Sequence, residues 1–374
     1  MKIGFAGRWS PLDKKAWSGT YYSSYRQISR HYEVLPFFYK WPFYVREYLV
    51  WHKQVQKLRG KKLAVEFLRG YAKYFSKQLE KDMLKNKVDV IFSPGATQLL
   101  AYCNTNIPII YMTDATFQQL QSYYDSFANL AAYNIKQGIA LDKSTFKKAA
   151  HCMLASEWTK ASAINDYGID EKKITVAPLG PNIDILPPAN EITKEWGRQC
   201  NLLFLGVEWE RKGGQLALDA FYALRKNHVA ATLTIIGCVP PFPLDDRDIM
   251  VIPFLNRDKP EEAQHLSAII KKSHFLLLPT RAECAGVVFC EAGAYGMPSI
   301  STDTGGVSSY VANGVNGITL PLSAGAEAYA QKIQEIYSNE TVYNMYCSNS
   351  RRRFEETLNW DTWGETFKHI VTSL

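Results

Sequence analysis

The stretch HFLLLPTRAECAGVVFCEAGAYGMPSIST, residues 274–302, opens with a short run of bulky apolar residues that stops at Pro279. A polar loop follows, and Gly286 then opens a second apolar segment, VVFCEAGAY, which predicts a helix ended by Gly296 and Pro298. PSIST resumes as another short branched run. Strand, loop, helix, strand is the repeating unit of a parallel sheet, whose buried strands read as continuous apolar runs. The same stretch sets two carboxylates, Glu283 and Glu291, on either side of seven mostly apolar residues that include one glycine. Two charges around buried structure call for a chemical reason.

The pattern extends in both directions. In the first half, KIGFAG, DVIFSPG, IPIIYMTDA, HCMLASE and KITVAPLG read as strands, with helices expected over 22–32, 98–103, 117–149 and 159–167. In the second half, NLLFLG, TLTIIGC, DIMVIPFL, HFLLLPT and PSIST repeat the rhythm, with helical runs starting near Gly213, Glu261, Val287 and Glu327. This alternation predicts an α/β chain with two Rossmann-like, doubly wound domains. A single core rarely serves 374 residues. Three prolines in PNIDILPPANEIT, residues 181–193, mark the expected junction, giving domains over 1–185 and 190–354. Ligands of doubly wound sheets collect outside the carboxyl ends of the strands, so two such sheets facing one another would enclose a cleft.

The composition, 47% hydrophobic and 21% charged, is ordinary for a soluble globular protein, and no run approaches the roughly 18 apolar residues of a membrane span. A cytoplasmic protein is expected. Seven cysteines are scattered with no CxxC pair, which suggests reduced core thiols rather than a zinc site or a disulfide framework. Neither a cofactor nor a metal is expected, and no nucleic-acid partner. The net charge of +7 is concentrated: between Lys40 and Lys87, 13 basic residues face 4 acidic ones, leaving the rest of the chain at −2. In that segment Tyr44, Tyr48, Trp51, Val55 and Leu58 recur at helical spacing. The resulting basic amphipathic helix either packs its stripe on its own domain or meets anionic lipid at the inner face of a membrane, or a polyanionic acceptor.

The quoted stretch carries the chemistry. A helix beginning just after Gly286 gathers N–H groups with no partner inside the helix, and the positive end of its dipole, around Gly286 to Val288. That is a seat for a phosphate. Glu291, one turn on, leans back toward the same seat, because helical side chains tilt toward the N-terminus. Glu283 reaches it from the other side. Carboxylates accept bonds from hydroxyls, so the arrangement suits a ligand with hydroxylated rings on both sides of a pyrophosphate, which is a nucleotide-sugar.

Here the residues resemble the family 4 retaining glycosyltransferases of GT-B fold. Glu283 and Glu291 reproduce the family's Glu, seven residues, Glu motif, and LLLPT, AYGMPSISTDTGG and NGVNGITLP resemble its surroundings. The resemblance implies that Glu291 binds the ribose, that Glu283 lies by the donor sugar, and that Ala285, Gly286, Val287 and Val288 contact sugar and phosphate. In NLLFLGVEWERKGG, Lys212 fits the family's diphosphate lysine and Arg211 is an adjacent candidate; solvated helix-start cations are the alternative. In SPLDKKAWSGTYYSSYRQI, Gly19 is the counterpart of the glycine near the donor phosphate. In IPIIYMTDATF, Asp114 is expected either to orient sugar or acceptor hydroxyls or to cap the next helix. VAPLGPNID matches the segment leading out of the first domain, and LNWDTWGETFKHIV resembles the last helix, so residues about 355–374 are expected to pack back on the first domain.

The chain also departs from the pattern. Thr113 stands where many relatives carry histidine, Val207 where many carry arginine, and Ala285 where many carry phenylalanine; Val307 is followed by Ser308 and Ser309 instead of Pro-Glu. The expected partners are a nucleotide-sugar donor and a glycan or glycolipid acceptor, used without a metal. A catalytically silent nucleotide-sugar binding protein and an epimerase of the same fold are the rival readings. A dehydrogenase would need GxGxxG and a P-loop kinase GxxxxGK, and neither motif is present.

Overall fold

The structure is a computed structural model that describes residues 1–40, 43–183, 186–192 and 194–374, except for the side chains of 43 and 44. The chain divides into two compact units, Met1–Ala177 with Trp363–Leu374, and Pro178–Thr362. Each is built on a parallel sheet of six strands among the described residues.

Unit 1 contains β1 (Lys2–Ala6), β2 (Glu33–Phe37), β3 (Val90–Pro94), β4 (Ile109–Thr113), β5 (His151–Leu154) and β6 (Ile174–Val176), in the order β2-β1-β3-β4-β5-β6. Strands β3 and β4 are buried throughout, as their unbroken apolar runs require. One face of the sheet packs Ile91, Tyr111 and Leu154 against Phe75, Leu79, Leu99 and Phe146. On Phe92, the rings of Trp363 and Phe367 sit edge-on at 5.7 and 5.3 Å, supplied by the helix Trp360–Ser373.

Unit 2 contains β7 (Gln199–Leu205), β8 (Ala230–Ile236), β9 (Ile249–Ile252), β10 (Phe275–Leu278), β11 (Ser299–Thr302) and β12 (Gly317–Leu320), in the order β12-β11-β10-β7-β8-β9. The quoted stretch folds as β10, the helix Val287–Ala294 and β11, with Leu276 opposite Ser299 in parallel register. Its helix is buried almost all round, which is why it shows no amphipathic stripe.

Two strands, β2 and β12, were not among those expected from the sequence. Both are short edge strands: β2 carries Pro36, tolerable only where a ladder bond is not needed, and β12 begins at Gly317. The helical run expected over 117–149 is broken into Phe117–Leu120 and Ala132–Lys148, with Ser122 and Asn129 in left-handed conformations between them. The units part between Ala177 and Pro178, ahead of the proline-rich stretch, of which Asp184, Ile185 and Thr193 lie outside the described residues. Leu179 already belongs to unit 2, since its N–H donates to Tyr310 Oη at 3.1 Å and its carbonyl accepts from Cys290 Sγ at 3.0 Å. At the other end only Trp363–Leu374 counts with unit 1, because Trp360 Nε1 donates to Pro181 O at 3.0 Å.

Candidate active site

In unit 2 the strand order reverses between β7 and β10, and a doubly wound sheet binds its ligand in the crevice outside the carboxyl ends of such a pair. Lys212 comes from the loop after β7 and Glu283 from the loop after β10. Lys212 Nζ donates to Glu283 Oε2, both residues being buried. The two loops are braced together: Arg281 N donates to Arg211 O at 2.7 Å, and Arg211 Nη1 donates to Ala282 O at 3.0 Å. Gly213 allows this closeness. Its φ is +75°, and a Cβ there would stand 2.0 Å from the carbonyl oxygen of Pro279. Arg211 itself pairs with Glu208, and its Nη1 comes within 3.9 Å of Glu283 Oε2.

The helix Val287–Ala294 begins beside this pair. Glu283 O accepts from Gly306 N at 2.9 Å, tying the TDTGG loop to the motif's first residue. At Gly286 a Cβ would fall 2.0 Å from the Phe289 ring, so only glycine lets that ring pack against the start of the helix. Ala285, Val287 and Val288 are half-buried around it. Cys290, inside the motif, has its thiol pushed well up by burial and then by the charge of Glu291, so it is a packed, protonated group.

Glu291 is only 3% exposed, and its partner was not foreseen from the sequence. Arg257, from the loop after β9, grips it with a fork: Nη1 donates to Oε1 and Nη2 to Oε2 at 2.8 Å, while Nη1 also donates to Asn182 O at 3.2 Å. The signal was present but faint, a lone arginine just beyond DIMVIPFL, at the strand end where ligand residues gather. Sequence reading also overlooks an Asp-x-Asp pair, Asp246 and Asp248. They precede β9, at the opposite end of the sheet, and face Arg225 at 2.7 and 3.5 Å. Among the described residues no cluster of three His, Cys, Asp or Glu has metal-holding geometry.

In unit 1 the strand order reverses between β1 and β3. The loop after β1 runs through Trp17, Ser18 and Gly19, all at positive φ, and Gly19 then leads into the helix Thr20–Ser29. Left-handed Trp17 and Ser18 are costly for residues with a Cβ, and such outliers gather at functional sites. Trp17 Nε1 donates to Asp114 Oδ2 at 3.2 Å, so the loop that carries Gly19 also fixes Asp114. Asp114 does not cap the next helix. Thr116 does, accepting from Gln119 N while Gln119 Oε1 accepts from Thr116 N. Six of the seven cysteines are buried, as core thiols. Among the described residues no helix is long and apolar enough to cross a membrane.

Two doubly wound α/β units with this site are the architecture of GT-B glycosyltransferases. Two family models match, one described as Glycosyltransferase Family 4 over residues 22–185 and one as Glycosyl transferases group 1 over residues 199–339. The chain belongs to glycosyltransferase family 4. It is 30% identical to the O-antigen chain mannosyltransferase C of Escherichia coli, over 61% of this chain and 62% of that one. It is 25% identical to the D-inositol 3-phosphate glycosyltransferase of Paenarthrobacter aurescens, over 56% and 55%. The chain thus spans somewhat more than half the length of these curated relatives. Its fold resembles that of a glycosyltransferase from Rickettsia africae (TM-score 0.63, 15% identity, 99% and 97% covered). It also resembles Anabaena HepE, solved with UDP and glucose (TM-score 0.62, 13% identity, 100% and 99% covered).

Proposed function

We propose that the chain transfers a sugar from a nucleoside-diphosphate-sugar to an acceptor hydroxyl, with retention at the anomeric carbon. The observation that carries this reading is the buried Lys212–Glu283 pair at the carboxyl ends of β7 and β10, beside a helix N-terminus. An ammonium has three N–H bonds, so Lys212 can hold Glu283 and still donate to a diphosphate. As the glycosidic bond breaks, the leaving nucleoside diphosphate gains negative charge. Lys212, Arg211 and the amides of Gly286 to Val288 stabilise that charge, which takes over the work of a divalent ion. Glu283 accepts bonds from the donor sugar's hydroxyls and Glu291 from the ribose. Gly19 lets the backbone near the donor phosphate, and Asp114, steadied by Trp17, orients hydroxyls. With Cys290 protonated and Glu283 paired to Lys212, neither is set up as a nucleophile, which favours a front-face route. The acceptor oxygen therefore attacks the anomeric carbon on the face that the diphosphate leaves, and its proton passes to the departing phosphate oxygen.

The reading is tested with a panel of UDP- and GDP-sugars, following donor hydrolysis without acceptor and then transfer to lipid-linked or oligosaccharide acceptors. Lys212→Ala is expected to lower turnover by about 10²- to 10³-fold with the fold intact by circular dichroism. Product of inverted configuration by NMR would overturn retention, and turnover found only with manganese would overturn metal independence. Donors that bind but never turn over would mark a silent binding protein, and release of an altered free sugar an epimerase.

The acceptor is proposed to be a surface glycan or glycolipid met at a membrane. The helix Phe43–Leu58 packs on unit 1 through His52, whose ring stacks on Tyr133 at 6.1 Å, and through buried Gln56. The expected stripe is not its packed face: Tyr48, Trp51 and Leu58 are 57%, 62% and 89% exposed, and only Val55 is half-buried; the side chain of Tyr44 lies outside the described residues. Arg46, Lys53, Lys57 and Arg59 are exposed with them. Apolar rings flanked by cations suit an anionic lipid surface.

A further inference from the structure

Arg257 lies outside the family motif, yet it contacts the motif's second glutamate directly. Its fork engages both oxygens of Glu291, and its third bond, to Asn182 O, fixes the fork against the backbone. Glu291 lies almost wholly out of solvent, whereas the side chain of Arg257 is 38% exposed.

We infer that Arg257 is a positioning residue that holds the Glu291 carboxylate in one orientation, and thereby sets the demand for a ribose on the nucleotide. The inference rests on the donor-site reading above. The last torsion of a glutamate side chain has no sharp preference of its own, so a carboxylate without a fork can turn. Paired with Arg257, Glu291 has both oxygens held in fixed positions. A fork uses one lone pair on each oxygen and leaves another on each for sugar hydroxyls. Bonds from hydroxyls to an ionised acceptor are stronger than neutral ones, and a site built for them rejects a ligand that lacks them. Arginine suits the role where lysine would not, because only a planar guanidinium fixes both oxygens at once.

The test measures binding of UDP, GDP and ADP, and of their 2′,3′-dideoxy counterparts, by calorimetry on the full chain, with inorganic pyrophosphate as a probe of the phosphate seat. Wild type is expected to favour one ribonucleotide over its dideoxy counterpart by on the order of 10- to 100-fold. In Arg257→Ala that ratio falls to within about threefold while pyrophosphate affinity is unchanged; Arg257→Lys, which keeps the charge and loses the fork, is intermediate. Near-ultraviolet dichroism checks the fold, and if Arg257→Ala does not fold, Arg257→Gln and Arg257→Lys carry the comparison. Folded variants that keep the wild-type ratio overturn the role of Arg257 alone. Wild type that binds no nucleotide overturns the donor-site reading and this inference with it.

Discussion

An ionised carboxylate taken out of water must find a cation or surrender its charge. Glu283 and Glu291 found Lys212 and Arg257. Asp142 in unit 1 is the contrasting case: it accepts from Thr97 Oγ1 at 3.0 Å and Phe117 N at 2.8 Å, and burial pushes its carboxyl up to about 6 from an ordinary 3.8. A raised carboxyl binds more protons folded than unfolded between about pH 4 and 6, so its contribution to stability is lost as pH rises through that window. Its ionised form then costs the fold on the order of 2 to 3 kcal/mol at neutral pH. Asp142→Asn is expected to unfold at equal or higher urea concentration than wild type at pH 7.5, and to depend less on pH below 6. A wild type that gains on the variant between pH 4 and 6 would contradict this. The motif glutamates were legible because their spacing is local, fixed by one loop and one helical turn. Arg257 was not, because nothing local links a residue after β9 to one in the helix after β10; only the strand order brings them together.

At the scale of elements, ten strands announced themselves by apolar runs, whereas β2 is interrupted by Pro36 and β12 opens on Gly317 and carries Thr319, so neither stood out. The helix Phe43–Leu58 was legible as a helix, but not in which stripe would face inward, since His52 and Gln56 displaced the aromatics from that role. Flotation on phosphatidylglycerol vesicles tests what the outward stripe does. Each cation near an anionic surface contributes about 1 kcal/mol, so neutralising Lys53 and Lys57 is expected to weaken binding roughly 30-fold at low salt. Lys61 and Lys62 are poorer targets, because they bond to Asn129 and Asp125 within unit 1. Equal flotation on neutral phosphatidylcholine would exclude an electrostatic dock. The turn before the helix Gly214–Lys226 is a second test. Gly213→Ala forces a left-handed alanine against Pro279 O and is expected to cost about 1 to 3 kcal/mol in thermal unfolding of unit 2. It is also expected to lower donor turnover by misplacing Lys212.

For the whole molecule, the alternation of strands and helices was enough to give two doubly wound units, but not where one ends. The boundary follows long-range contacts, among them the bond from Leu179 to Tyr310, which have no signature in composition. Trp363 and Phe367, each 1% exposed, complete the wall over Phe92. Trp363→Ala is expected to destabilise unit 1 by about 3 to 5 kcal/mol, read as faster hydrogen exchange in β1 and β3 with β7 and β10 unchanged. Uniform loss of protection in both sheets would argue against separate cores. The return of residues 363–374 to unit 1 also sets an order of events during translation. The ribosome must finish the second sheet before it makes the rings that close the first. A nascent chain arrested after Thr362 therefore already holds every residue of the later-made sheet, while the earlier-made one waits, open on one side, for residues 363–374.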